Sequence, residues 1–158
     1  RLASNPGSYQ CKQELQITRK ILEYVDILFV NKEEAACLAG TKPSDIKETM
    51  KKLFKAGVKM TVITDSENGS FFYDGTLMLH MGVYPITPVA KTGAGDAYAS
   101  GFLTAITRHK KPEEAMKWGS ANAAGVIQIF GAQRGLCSKG RLLKYIAAYP
   151  AIVPHIYS

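Results

Sequence analysis

Residues 88–102 read PVAKTGAGDAYASGF. The stretch sets Gly93, Ala94, Gly95 and Asp96 immediately before a run of helix-forming residues. Gly93 and Gly95 lack a Cβ, so the backbone can approach another group closely and can take a positive φ. The first N–H groups of the following helix have no acceptor within it. With the helix dipole they form an anion site. Asp96 falls in the first turn. A carboxylate there stabilises a helix by ~0.3–1 kcal/mol, and it also stands beside whatever the N–H groups hold. An anion clamp next to a base suits phosphoryl transfer to an alcohol. The base takes the hydroxyl proton, and the clamp neutralises charge on the phosphoryl group. Taken alone, Gly-x-Gly before a helix reads equally as a tight strand–helix turn.

Outward from this turn the hydrophobic period changes repeatedly. Residues 11–25 (CKQELQITRKILEYV) carry Leu15, Ile21, Leu22 and Val25 near one helical face. Residues 26–30 (DILFV) form a continuous apolar run, the pattern of a strand buried on both faces. Residues 31–40 open on an N-cap asparagine, carry acids in the first turn and stop at Gly40, which predicts a short helix. Residues 42–57 predict a second helix, capped by Ser44, with Ile46, Met50, Leu53 and Phe54 as its apolar stripe. A strand over 58–65 follows, then two short strands joined at Asp74-Gly75, a hairpin-turn pair. Helices are expected over about fifteen residues from Gly93, over 112–130 after Pro112, and over 140–149, with 131–136 (GAQRGL) as a loop. Alternating helices and buried-type strands indicate an α/β sheet with ligands at the carboxyl ends of its strands.

Composition narrows the function. Hydrophobic residues make up 46% of the 158 and charged residues 21%, which supports a packed core and argues against global disorder. No apolar run reaches the ~18 residues of a membrane span, so no membrane role is expected. The net charge of +7 is spread along the chain, with tight clusters only at Lys51-Lys52 and at residues 108–111. No aromatic-basic platform accompanies it, which favours a solvated basic face or an anionic small molecule over nucleic acid. Cys11, Cys37 and Cys137 are far apart and form no CxxC, as suits a reducing cytoplasm. His80, His109 and His155 have neither triad nor metal spacing and read as surface or packing residues. Trp118 lies in a helical pattern, as core or as a lid over a nucleotide. The absence of a P-loop, a Rossmann glycine fingerprint and a Gly-x-Ser-x-Gly elbow argues against those enzyme classes. The opening RLASNPGSYQ reads as the middle of a longer chain.

Residues 91–106 (KTGAGDAYASGFLTAI) closely resemble the C-terminal signature of the ribokinase-like (PfkB) carbohydrate kinases. Thr92, Gly93, Ala94, Gly95, Asp96, Ala97, Tyr98, Gly101 and Phe102 carry the resemblance. Three further stretches follow in the family's order. Residues 29–40 resemble its Asn-x-x-Glu motif, with Asn31 and Glu34 in the two positions. The resemblance implies that this pair arranges Mg2+, water and phosphate at the reacting end of ATP, and a hard cation does prefer oxygen ligands. On the residues alone, Asn31 is an N-cap and Glu34 a capping-box acid. Residues 61–75 resemble the strand and turn that meet the nucleotide phosphates and ribose, with Thr64 and Gly69 matching and Ser66 where a glycine is usual. Residues 119–136 resemble the Ala-Asn-Ala-Ala helix and Gly-Ala loop, with Asn122 resembling the asparagine near the adenine pocket. The family's aspartate two residues before Thr92 is Ala90 here, with Lys91 between. That departure implies weak or absent K+ activation.

The resemblance covers residues 5–136. It implies a ribokinase-like three-layer α/β sandwich with a mostly parallel sheet, of which residues 1–158 supply the C-terminal nucleotide-binding and catalytic part. It further implies a cytoplasmic, ATP- and Mg2+-dependent kinase of a sugar or related small alcohol. Asp96 is its general base, and the N–H groups of Ala94, Gly95 and Asp96 are its anion hole. Glu34 serves Mg2+ through water, while Asn31, Thr64, Gly69 and Asn122 border the nucleotide. Relatives are often homodimers through an N-terminal β lid. The alternative is a non-catalytic nucleotide-binding or regulatory domain on the same fold. Nothing in the 158 residues selects the acceptor.

Overall fold

The computed structural model describes residues 2–12 and 15–158. It divides into two compact units, one of residues up to Asp65 with 71–78 and 157–158, the other of residues 66–70 and 79–156. The strands pair side by side in chain order, β1 to β6, in one mixed sheet.

In the first unit β1 (Ala3–Ser4) pairs in parallel with β2 (Ile27–Asn31), and β2 pairs in parallel with β3 (Met60–Thr64). Four of the five β2 residues are buried, as the apolar run predicts for a strand covered on both faces. Between these strands lie α1 (Ser8–Lys12), α2 (Leu15–Ile21), α3 (Lys32–Ala39) and α4 (Ile46–Lys55). Leu28 and Val30 of β2 join Ala35 and Leu38 of α3 and Ile46, Met50 and Leu53 of α4 in one apolar cluster.

Two expectations are corrected here. The single helix over 11–25 is replaced by α1, α2 and a 3-10 turn at Leu22–Tyr24, with residues 13 and 14 outside the described set. The tighter turn advances each residue by about 120° instead of 100°. Leu22 is buried, while Ile21, the last residue of α2, stays 42% exposed. Ser44 does not cap α4: its hydroxyl donates to Asp45 Oδ1 at 3.1 Å, and no side chain caps that helix. The stripe of α4 holds at Ile46, Met50 and Leu53, joined by Thr49. Phe54 sits at its edge, with its ring 5.6 Å from that of Tyr73. The hairpin joining β4 (Ser70–Tyr73) to β5 (Met78–Met81) turns at Asp74-Gly75 as expected. Asp74 Oδ1 accepts the N–H groups of Thr76 and Leu77 at 3.0 and 2.7 Å.

The second unit holds α5 (Ala94–Thr107), α6 (Pro112–Ile127) and α7 (Lys139–Ala148), with β6 (His155–Ile156) antiparallel to β5. Trp118 is core, buried with Tyr98, Phe102 and Met116. α7 starts on Ser138, whose side chain accepts the Arg141 N–H. α6 stops at Ile127, before Phe130, which is 79% exposed. Among the described residues no helix is long and apolar enough to cross a membrane.

One carboxylate ties the parallel strands at their entry. Asp26 Oδ1 takes the Lys59 ammonium at 2.6 Å, and Oδ2 takes the Leu2 N–H at 2.7 Å. Lys59 first, then the Leu2 N–H, hold the Asp26 carboxyl below its ordinary value of 3.8. A group lowered in this way stabilises the fold above the unfolded-state value, and the contribution disappears as pH falls through the folded-state value. Asp26→Asn is therefore expected to lower Tm at neutral pH, with the gap to the parent closing in acid. Thermal unfolding from about pH 2 to 7 measures this. A pH-independent gap would refute the role of the ion pair.

Candidate nucleotide and catalytic site

In the first unit, Asn31 and Thr64 end β2 and β3 and are register partners, so they stand side by side at the carboxyl ends of two parallel strands. That is where open α/β sheets bind ligands. Asn31 also begins α3. Its Oδ1 accepts the Glu34 N–H at 2.8 Å, and Glu34 Oε2 accepts the Asn31 N–H at 3.0 Å, a complete capping box. Ser8 donates to Glu34 Oε1 at 2.8 Å, a partner that sequence reading did not find, since 26 residues separate the two. The Glu34 carboxylate is thus fixed at both oxygens, and a carboxylate keeps further lone pairs beyond those two bonds. Oxygen donors of this kind fit a hard cation reached through water. Lys32 pairs with Asp65 at 2.6 Å, placing a positive charge beside the same strand ends.

In the second unit, the turn at 93–96 is built by steric demand. Gly93 caps α5 at φ 83°, in the left-handed region. A Cβ there would lie 2.7 Å from the Ala132 Cβ and 2.9 Å from its carbonyl oxygen. The 131–136 loop thus holds the turn, and only glycine fits. Ala94 N–H reaches Lys91 O at 3.3 Å, a long bond, and Ala97 N–H closes the first helical turn on Gly93 O at 2.9 Å. Between them lie the N–H groups of Gly95 and Asp96, in the first turn of α5. Gly95 and Asp96 are exposed, and a Cβ built on Gly95 meets nothing within 4 Å. The turn therefore offers an open backbone cradle of the kind that takes an anionic oxygen, with the Asp96 carboxylate in the same turn.

Asn122 is 5% exposed and its amide is occupied. Its nitrogen donates to Ala97 O at 2.7 Å and to Ser100 Oγ at 3.0 Å, and its oxygen accepts the Cys137 N–H at 2.8 Å. It fastens α5, α6 and the segment before α7 together. The 66–69 turn carries the residues matched to the nucleotide motif. Ser66 takes φ 44°, the left-handed region that the usual glycine would occupy without strain. Gly69 takes φ 90°, with Met81 O only 2.0 Å from where a Cβ would be. Lys91 and Glu67 form an exposed pair at 3.8 Å, so the lysine lies at the surface. Of the free cysteines, Cys11 is buried, and burial, then Glu34, pushes its thiol up to about 11.

The family model of the pfkB family carbohydrate kinases matches residues 5–138, and the chain belongs to that family. It is 36% identical over 118 residues to the cytidine kinase of Thermococcus kodakarensis, covering 73% of this chain and 41% of that protein. It is 37% identical over 125 residues to the 5-dehydro-2-deoxygluconokinase of Halalkalibacterium halodurans, covering 77% of this chain and 38% of that one. The structure of Arabidopsis thaliana ribokinase complexed with ribose and ATP superposes with a TM-score of 0.75 at 27% identity, covering 81% of this chain and 43% of that chain. The chain thus spans about two fifths of the length of these relatives. The fold is the ribokinase-like α/β fold with a mixed sheet.

Gly93→Ala is expected to destabilise the chain by about 1–3 kcal/mol, since it combines a left-handed backbone with a clash against Ala132. Thermal unfolding measures this, and an unchanged Tm would show that the turn does not need its glycine.

Proposed function

We propose that this chain carries the nucleotide-binding and catalytic part of an ATP-dependent kinase that phosphorylates a hydroxyl of a sugar or nucleoside. The observation that carries the reading is the 93–96 turn, in which a glycine forced by its neighbours opens a helix N-terminus beside the Asp96 carboxylate. Asp96 takes the proton of the acceptor hydroxyl as its oxygen attacks the γ-phosphorus. The new O–P bond forms, the bond to the bridging oxygen of ADP breaks, and the first-turn N–H groups of α5, those of Gly95 and Asp96 foremost because Ala94 donates to Lys91 O, take up charge on the transferred group. Asn31 and Glu34 would hold Mg2+ through water, and the ion would neutralise phosphate charge. Thr64 and Gly69 border the nucleotide. Asn122 acts as a positioning residue, because its amide is spent on α5 and the Cys137 N–H. Family membership supports ATP as the donor, and the ribokinase complexed with ribose and ATP supports a sugar-sized acceptor. Cytidine kinase among the relatives keeps nucleosides in the acceptor class.

Two substitutions separate binding from chemistry. In a chain of family length, Asp96→Asn is expected to cut turnover by about 10²-fold or more while leaving Mg·ATP affinity nearly unchanged. Near-normal turnover removes Asp96 from the base role. Gly95→Ala has room in the fold and gains helix propensity of up to ~1 kcal/mol. It is expected to keep or raise Tm and to lower kcat by filling the cradle. Full turnover in Gly95→Ala would make the turn purely structural. Because Ala90 supplies no carboxylate, turnover is expected to be equal in Na+ and K+. Nucleotide binding without acceptor-dependent ADP release would favour the regulatory reading.

A further inference from the structure

Two histidines that the kinase chemistry does not use meet across β5 and β6. His80 and His155 are register partners in the antiparallel pair, with ring centroids 5.0 Å apart. His80 Nδ1 lies 3.3 Å from His155 Nε2, and His80 Nε2 lies 2.7 Å from the carbonyl oxygen of Asn68. A carbonyl only accepts, so neutral His80 carries its proton on Nε2 and its Nδ1 accepts a hydrogen bond from His155 Nε2–H, the proton an ion between the two nitrogens would displace. We propose that His80 Nδ1 and His155 Nε2 form a bidentate site for a first-row divalent transition metal. Two nitrogens bound at 2.0–2.1 Å to one tetrahedral ion stand about 3.3–3.4 Å apart, which is the separation present. The Asn68 carbonyl behind His80 is the outer partner that metal-binding histidines use to fix their tautomer. With the ion bound, His155 carries its proton on Nδ1, so both rings bind as neutral imidazoles.

Imidazole nitrogens select zinc, nickel or copper over magnesium and calcium. Among the described residues no group of three or more His, Cys, Asp or Glu side chains is placed to enclose an ion. The site is therefore an open clamp whose other positions go to water. Its effect is local: it fastens the two-residue β6 to β5 and, through Asn68, to the 66–69 turn.

The test is calorimetric titration of the chain, without any added histidine tag, with NiCl2 or ZnCl2 at neutral pH and no nucleotide present. The expected result is one ion per chain and no saturable heat from MgCl2. Metal at about one hundred times its Kd should raise Tm by roughly 5–10 °C. His155→Ala and His80→Asn should each weaken binding by at least about tenfold, while His109→Ala should leave it unchanged. His155 lies at an exposed edge, so its removal spares the core. One-to-one binding retained in His155→Ala, or no saturable heat in the parent, overturns the proposal. Because no nucleotide is used, neither result bears on the kinase reading.

Discussion

The backbones of α5 and α6 approach so closely that a single methyl group would part them. A Cβ on Gly101 would stand 2.7 Å from the Trp118 carbonyl oxygen, and one on Gly119 would press on the Tyr98 ring at 2.9 Å. Asn122 locks this contact with hydrogen bonds to Ala97 and Ser100 on one helix and to Cys137 on the returning segment. The Tyr98 phenol lies buried beside it, bonded to Ser70 at 2.9 Å, and burial raises its ionisation well above the ordinary tyrosine range. Nothing in this arrangement can slide without breaking a buried polar contact. The first turn of α5 inherits its direction from it. A backbone cradle aids charge stabilisation only if its N–H groups are aimed beforehand, and here packing a full turn away from the cradle aims them.

Much of this was legible in the sequence because each feature is local. The apolar run at 26–30, the Asn31 and Gly40 boundaries of α3, the Asp74-Gly75 turn and the glycines before α5 are each written within a few residues. The failures share the opposite property. The 3-10 break at Leu22 depends on how α2 meets the core, and a helical period cannot announce it. β1 and β6 have two residues each, too few to show alternation, and exist only through their neighbours. Ser44 is well placed in sequence to cap α4, yet its hydroxyl turns to the adjacent Asp45.

The same division runs through the site. Resemblance to the family's motifs singled out Asn31, Glu34, Gly93, Gly95 and Asp96 as candidates. It could not reveal that Ser8 grips Glu34 from another helix, that Ala132 makes Gly93 obligatory, or that Asn122 bonds residues 25 and 15 positions away. For Glu34 the two sequence readings are not rivals. A carboxylate offers about four lone-pair directions, and the capping box with Ser8 occupies two oxygens without exhausting them. Fixing the group as a cap also fixes the directions left over, which is what a water-mediated cation contact needs.

The turn at 66–69 distinguishes two kinds of motif glycine. At Ser66 the constraint is torsional: the residue is exposed, and the left-handed backbone costs about 1–2 kcal/mol. At Gly69 the constraint is volumetric, because the Met81 carbonyl occupies the space a side chain would need. The first barrier is small enough for other contacts to offset, whereas the second closes the position to every other residue. The serine at 66 thus marks strain that the turn tolerates, and Gly69 marks space that the turn does not have.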